Sequence, residues 1–226
     1  MSSKKKKLII YGDSSYAEMI AHYFKTDSNY IVVAFCADRE YRSRDKIGST
    51  PVVDFEDVKE LFSTQEHYIF AAIGYKSVRT HKRLYEKVKN LSFPIASYIS
   101  TQAIVDSSCE VGQNCLVLAG SILEPYSIVK ENCFVNSGAI VCHNAIVEAH
   151  TILASGSLVG GYSKVGHSSL IGFNATIAEL LEVGSETLLG AGSLLLKNTD
   201  SHTMYVGSPA KEVRKHIDAG IILASQ

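Results

Sequence analysis

From Ile99 to Leu195, every sixth residue is Ile, Leu or Val. The series starts Ile99, Val105, Val111, Val117, Leu123 and runs through Val141, Val159 and Ile177 to Leu189 and Leu195, seventeen positions without a slip. Two residues before each later rung lies a second slot (Ala103, Cys109, Cys115, Ser121 and onward to Thr187 and Ser193), where only Leu181 is not small. A period of six fits neither a 3.6-residue helix nor an isolated amphipathic strand. It fits a hexapeptide-repeat β-helix, in which each short strand turns one large aliphatic and one small residue inward. Three hexads close a triangular coil, so residues eighteen apart stack about 4.8 Å apart along the axis. Val105, Leu123, Val141, Val159, Ile177 and Leu195 are therefore expected to form one interior ladder. An ordinary β-sandwich would not hold this period across ninety-seven residues.

At 226 residues the chain has room for the β-helix and one further small domain. A formal net charge of −1 gives no electrostatic case for nucleic acid or an anionic membrane. There is no apolar run of eighteen residues. The Lys4–Lys7 run leads into a strand, not a signal-peptide core, and reads as a solvated tail, so the expected location is the cytoplasm. Five cysteines are an odd number with no CxxC pair. Cys109, Cys115 and Cys133 fall in the small inward slot and read as buried hydrophobes; Cys36 ends an apolar strand. Cys142 abuts His143, but nothing in the sequence marks it as activated.

Residues 1–97 alternate apolar runs with amphipathic stretches. Leu8–Tyr11, Tyr30–Cys36, Pro51–Val53 and Tyr68–Ala72 read as buried strands. Helices are expected after the candidate N-caps Ser14 and Ser15 (burying Ile20, Tyr23 and Phe24), from Phe55 to Phe62 behind Asp54, and from Ser77 to Val88. Alternating strands and helices imply an α/β domain with a small parallel, Rossmann-like sheet and right-handed crossovers. Ligands in such sheets sit beyond the carboxyl ends of the strands, where Gly12, Asp38 and Gly74 fall. The turn Gly12-Asp13-Ser14-Ser15 lacks GxGxxG spacing; it suits either a phosphate received at a helix start or a tight turn without a ligand. The β-helix domain is expected over 98–211, closed by the extended segment Met204–Lys211, with a tail, 212–226, able to form one short helix through Val213 and Ile217.

A β-helix interior filled with aliphatic rungs leaves its chemistry to corners and outer faces. Of eight histidines, His143, His150 and His167 fall on the coils. His143 lies two residues beyond the Val141 rung, where side chains leave the core, and Gly161 stacks one coil above it. A Gly161 N–H could face an oxyanion formed near His143, and an imidazole suits proton removal from an attacking amine or hydroxyl. An exposed turn histidine without such a role is the alternative. No carboxylate neighbours His143 in sequence, so Asn136 and Asn144 are the nearest candidates to orient it. His150 and His167 do not stack on its corner, so a zinc site is not expected.

The unbroken hexads, Ile171-Gly172-Phe173-Asn174-Ala175, Leu189-Gly190-Ala191-Gly192-Ser193 and the terminal Val206-Gly207-Ser208-Pro209-Ala210-Lys211 resemble the left-handed β-helix acyltransferases that use coenzyme A. With the strand–helix domain in front, nearly the whole chain is similar to the bacterial nucleotide-linked amino-sugar N-acetyltransferases. That group includes the UDP-bacillosamine and perosamine enzymes and relatives called sialic acid O-acetyltransferases. The resemblance implies a homotrimer with sites between adjacent β-helices, acetyl-CoA along the coils, no metal, and a nucleotide-linked amino sugar on the N-terminal domain, for surface-glycan synthesis. The catalytic histidine matches His143, its supporting asparagine Asn136 and the oxyanion-binding amide Gly161. Coenzyme contacts match Phe173, Gly190 and Ala191, with Lys211 near the phosphate end. The nucleotide site matches Gly12, Asp13, Ser14, Ser15 and Tyr16, then Asp38, and the loop with Gly74, Tyr75, Lys76 and Arg79.

The chain departs from that pattern at four places. Asn144 stands where Asp or Glu usually follows the histidine, Ile152 where relatives carry a second histidine, Ser15-Tyr16 where Gly-His is usual, and Ala37-Asp38 where the acidic residues are paired. The activity implied is N-acetylation of an amine on a nucleotide-linked deoxyamino sugar. The alternatives are O-acetylation of a sugar hydroxyl, or a non-catalytic β-helix trimer that binds nucleotide-sugar.

Overall fold

The computed structural model describes residues 5–72, 74 and 77–222. It divides into two compact units, residues 1–74 with 83–98, and residues 75–82 with 99–226.

In the first unit the apolar runs become β1 (Lys6–Tyr11), β2 (Tyr30–Ala37), β4 (Thr50–Asp54) and β5 (His67–Ala71), parallel in the order β4-β2-β1-β5. A two-residue strand, β3 (Lys46–Ile47), adds antiparallel to β4; it is too short and polar to carry a periodic signal. The chain order reverses between β1 and β5, which opens a crevice at their carboxyl ends. Helix α1 (Ser15–Thr26) is capped by the Ser14 hydroxyl, which accepts from the Ala17 amide at 3.4 Å, and buries Ile20 and Phe24. The third stretch forms a single 3-10 turn, Phe55–Asp57, and one turn of helix, α2 (Val58–Leu61). Asp54 stands at the N-cap position, but its side chain makes no capping bond: the carboxylate is drawn instead to Arg39 Nε at 2.7 Å and Arg42 Nε at 2.9 Å. Ile9, Cys36, Ile69 and Val88 are fully buried in the core between sheet and helices. Lys6 and Lys7 belong to β1 and not to a solvated tail; Lys6 lies over the Tyr30 and Tyr68 rings, and Lys7 pairs with Glu66.

In the second unit the hexads become seventeen two-residue strands, from Tyr98–Ile99 to Leu194–Leu195, laid into three parallel sheets. Register is eighteen throughout: Leu123 opposes Val141, Val141 opposes Val159, and Val159 opposes Ile177. Rungs from Val117 to Leu195 are at most 4% exposed; Val105 and Val111, in the first coil, are only partly buried. The small slot has a second reason besides space. Most of its hydroxyls and thiols donate to the carbonyl fifteen residues on, as Ser121 Oγ does to Asn136 O at 3.1 Å and Ser163 Oγ to Ala178 O at 2.7 Å. Burial pushes the Cys115 thiol up to about 12, which leaves it a hydrogen-bond donor and not a nucleophile.

A third period of six sets the corners. All fourteen residues at six-residue steps from Asn114 to Gly192 have positive φ, and four are Asn and four Gly, the types that tolerate this region best. Asn144 is one of them, at φ 61°. On one corner the side chains stack inward: Asn114 Nδ2 donates to Asn132 Oδ1 at 2.8 Å, and Asn132 Nδ2 meets His150 Nδ1 at 3.0 Å.

Past the last rung, Thr203–Gly207 extends the third sheet and Ala210–Lys215 folds back antiparallel on it. The expected short helix is absent among the described residues: Val213 lies in this strand and Ile217 in a turn. The strand satisfies its backbone by cross-strand bonds, which outweighs weak local helix propensity. Helix α3 (Val78–Lys89) begins in this unit, where Arg79 Nε meets Glu186 Oε2 at 2.8 Å and the His81 ring meets Phe134 at 4.6 Å.

Candidate active site

His143 and Gly161 sit on neighbouring coils of the corner that follows the Ile140–Val141 and Leu158–Val159 strands. The His143 imidazole lies against a glycine that has no room for a side chain. A Cβ built on Gly161 would be 2.9 Å from both Cε1 and Nε2 of the ring. Tyr162 braces the ring edge-on at 5.2 Å, and its amide donates to the His143 carbonyl at 3.1 Å. Asn144 Oδ1 is 3.3 Å from Nδ1, a long contact, as expected of a residue whose backbone is committed to the turn. The His143 amide donates to Glu124 Oε2 at 2.9 Å, a carboxylate from the preceding coil that no sequence neighbour of His143 announces. Gly161 is buried, its carbonyl accepts from the Leu180 amide, and its own N–H has no partner among the described residues. Cys142 also hydrogen-bonds to Glu124; burial first, then that carboxylate, raise its thiol, so it is no activated nucleophile.

Within one chain Asn136 makes no contact with His143. Its Nδ2 donates to the Leu153 carbonyl at 2.8 Å, and it stands on the preceding corner, one strand away from His143. There it lines a groove of about 360 Å³ with Phe173, Gly190 and Ala191, which brings together three expected coenzyme contacts and one expected catalytic residue. The groove floor is apolar, made by Ile152, Leu170 and Met204. Ile152 thus occupies the place of the second histidine as groove wall, 1% exposed. Close coil packing shapes the wall: a Cβ on Gly172 would be 2.6 Å from the Ala191 amide nitrogen. Phe173 stands 60% exposed at the rim. Lys211 lies on the closing hairpin opposite Val206, exposed and outside the groove lining. His150 is buried in the asparagine stack, and the His167 ring meets Ser168 Oγ at 3.3 Å. Among the described residues no group of three His, Cys, Asp or Glu side chains could hold a metal ion.

In the first unit a cleft of about 560 Å³ opens at the strand ends, lined by Tyr11, Gly12, Asp13, Asp38, Arg83 and Lys87 among others. Gly12 has φ 130°, and a Cβ there would be 2.6 Å from the Ala72 carbonyl oxygen, so only glycine lets β1 turn beside β5. Asp38 Oδ1 accepts from the Tyr11 hydroxyl and from Lys87 Nζ, both at 2.7 Å. Burial and this bond hold the Tyr11 phenol well above its usual range, so it stays a proton donor to Asp38. Asp13 Oδ2 accepts from the Ser43 amide at 2.7 Å and hydroxyl at 2.8 Å, which fixes the loop after β2 and employs one carboxylate oxygen there. Ser14 is spent on its cap, and Ser15 and Tyr16 open α1. Gly74 is exposed and does not line the cleft; Tyr75 and Lys76 lie outside the described residues. Arg79 is not a cleft residue: besides Glu186, it donates to the carbonyls of Ile217 and Asp218 at 2.7 and 2.8 Å. The cleft's cations are instead Arg83 and Lys87, one turn apart on α3, a helical pair that sequence reasoning passed over.

Residues 7–88 match the PglD N-terminal domain family. No curated protein matches the chain in sequence. Among solved structures, the acetyltransferase domain of PglB from Neisseria gonorrhoeae FA1090, in complex with acetyl coenzyme A, superposes with a TM-score of 0.82 at 23% identity, over 92% of this chain and 100% of that one. PerB from Caulobacter crescentus, in complex with CoA and GDP-perosamine, gives 0.81 at 23%, over 92% and 97%. WeeI from Acinetobacter baumannii AYE gives 0.57 at 17%, over 92% and 100%. The likeness is one of fold: a small parallel-sheet domain followed by a left-handed parallel β-helix.

Proposed function

We propose that the chain transfers the acetyl group of acetyl-CoA to the amine of a nucleotide-linked deoxyamino sugar. The observation that carries this reading is the His143 ring seated against a buried, side-chain-free Gly161. A base held beside an unpartnered backbone amide is what acyl transfer needs. The amine nitrogen attacks the thioester carbonyl, His143 takes its proton, the Gly161 N–H steadies the tetrahedral oxyanion, and the thiolate of CoA leaves. Acetyl-CoA fits the apolar groove of Asn136, Phe173, Gly190 and Ala191, with Lys211 toward its phosphates. The nucleotide fits the cleft of Gly12 and Asp38, where Arg83 and Lys87 supply charge for a diphosphate. PglB and PerB, similar in fold, were solved with acetyl coenzyme A and with CoA plus GDP-perosamine.

The reading requires three copies. His143 and the groove lie at two corners of one chain, with the sheet that contains Ile140–Val141 between them. That sheet turns Ile104, Ile122, Ile140, Leu158 and Leu194 outward, and Tyr126, Tyr162 and Leu180 protrude at the His143 corner with 64, 59 and 71% exposure. A homotrimer covers this apolar face and brings the His143 corner of one copy to the groove of the next. The reading puts the reaction in the cytoplasm, on the way to a surface glycan. Among the described residues no helix is long and apolar enough to cross a membrane.

The test is incubation with acetyl-CoA and a panel of UDP-, GDP- and dTDP-linked amino sugars and their hydroxyl analogues, following CoA release. Release with an amine and not its hydroxyl analogue supports the reading; release with none, from a protein that light scattering shows to be trimeric, refutes it.

A further inference from the structure

Glu124 is the long polar side chain of its column. The residues stacked above it at intervals of eighteen are Cys142, Gly160 and Ala178. Its backbone is pinned: the amide donates to the Val141 carbonyl at 2.9 Å, and its carbonyl accepts from the Ser127 amide at 3.1 Å and the Cys109 thiol at 3.0 Å. From this fixed base the carboxylate reaches one coil onward and takes the His143 amide at 2.9 Å. Charge-assisted bonds of this kind are short and directional. Asn144, which follows His143, offers only the long 3.3 Å contact, and its backbone is committed to the left-handed turn. Besides the edge-on contact of Tyr162, the imidazole depends for its placement on the corner's backbone, which Glu124 ties down on the side away from Gly161 together with the Pro125 carbonyl, the acceptor of the Asn144 amide at 3.1 Å.

We propose that Glu124 is the positioning residue of His143, holding the 142–145 corner so that the imidazole rests against Gly161. This rests on the acetyltransfer reading of the same site. Glu124 touches no substrate in this role; it acts through the His143 backbone.

The experiment compares Glu124→Ala, Glu124→Gln and Glu124→Asp in the full-length protein by steady-state kinetics, melting temperature and NMR of the His143 amide. A misplaced reacting group costs on the order of 10²-fold in rate. Glu124→Ala should lower kcat about 10- to 100-fold, with both KM values within about twofold of wild type. The His143 amide proton should move upfield and exchange faster. Glu124→Gln keeps an acceptor oxygen at the same reach and should restore most of kcat. Glu124→Asp, one methylene short, should not, and it stands in for Glu124→Ala should that variant fail to fold. Glu124→Ala with near-wild-type kcat, or Glu124→Gln as slow as Glu124→Ala at unchanged melting temperature, overturns the assignment. A wild-type protein inactive on the whole panel defeats the acetyltransfer reading instead; the amide resonance then decides about Glu124, and an unmoved signal overturns its hold on His143.

Discussion

Gly160 and Gly161 are adjacent, yet alanine at each should fail differently. At Gly161 the new methyl would be 2.9 Å from Cε1 and Nε2 of His143, where ordinary contact begins at 3.4 Å. The ring must retreat by the difference, 0.5 Å, and it can, because it is an exposed side chain on a corner. Gly161→Ala should therefore fold with an unchanged melting temperature while kcat falls, by less than the roughly 10²-fold that a full 1 Å misplacement costs. At Gly160 the methyl would be 2.6 Å from both the Ala178 carbonyl carbon and the Glu179 amide nitrogen, backbone atoms fixed by the ladder. Nothing there can swing aside. Overpacking of this kind costs about 1–3 kcal/mol, and a chain of this size loses about 2–4 °C of melting temperature per kcal/mol. Gly160→Ala should therefore melt several degrees lower and keep most of its kcat at low temperature. The assay is CoA release beside thermal unfolding of each variant. Full turnover in a stable Gly161→Ala protein would refute the claim that the ring acts from its seat on Gly161.

Loss of a general base is worth about 10²–10⁴ in rate, so His143→Ala and His143→Asn should lower kcat by that order while light scattering still reports the wild-type oligomer. His150→Ala should leave kcat near wild type yet lower stability by about 1–3 kcal/mol in urea unfolding, because it strands the buried Asn132 amide. Val141→Asp should abolish soluble protein, a charge between stacked aliphatic rungs having no solvation; Val141→Ala should cost about 1–3 kcal/mol by the same unfolding measurement. Asp38→Ala should raise KM for the nucleotide sugar and leave KM for acetyl-CoA unchanged, because it frees Tyr11 and Lys87 in the cleft and touches nothing in the groove.

The β-helix was legible because its constraint is periodic: an inward rung cannot be polar, and the eighteen-residue register follows from counting. The corner period was equally present, as Asn and Gly at six-residue steps, but a single sequence shows such residues as turns and not as a column of positive φ. His143 over Gly161 came from the same counting. Glu124 did not, because its partner is a backbone amide nineteen residues away, and backbone groups leave no trace in sequence. The resemblance placed Arg79 at the nucleotide site; the structure gives its three bonds to Glu186 and two carbonyls instead. Arg83 and Lys87 were hidden by being ordinary surface cations of an amphipathic helix. The tail after Lys211 was read as a helix because Val213 and Ile217 share a helical spacing, while the strand pairing that decides the matter is supplied by Thr203–Gly207.

The constant register of the coils makes chain length a measure of angle. Each hexad carries the backbone through a third of a turn, so an insertion of six residues between His143 and Gly161 would keep every rung apolar and every small slot small. Nothing in the hydrophobic core would object. Yet all that follows would rotate by one face, and the histidine would look out over another coil's corner while its glycine pointed elsewhere. Insertions of eighteen would lengthen the column without rotating it, though one placed between the two residues would still separate them by a coil. Such a fold tolerates changes in length that leave it intact and silent, so the span from 143 to 161 is held by the reaction and not by the core.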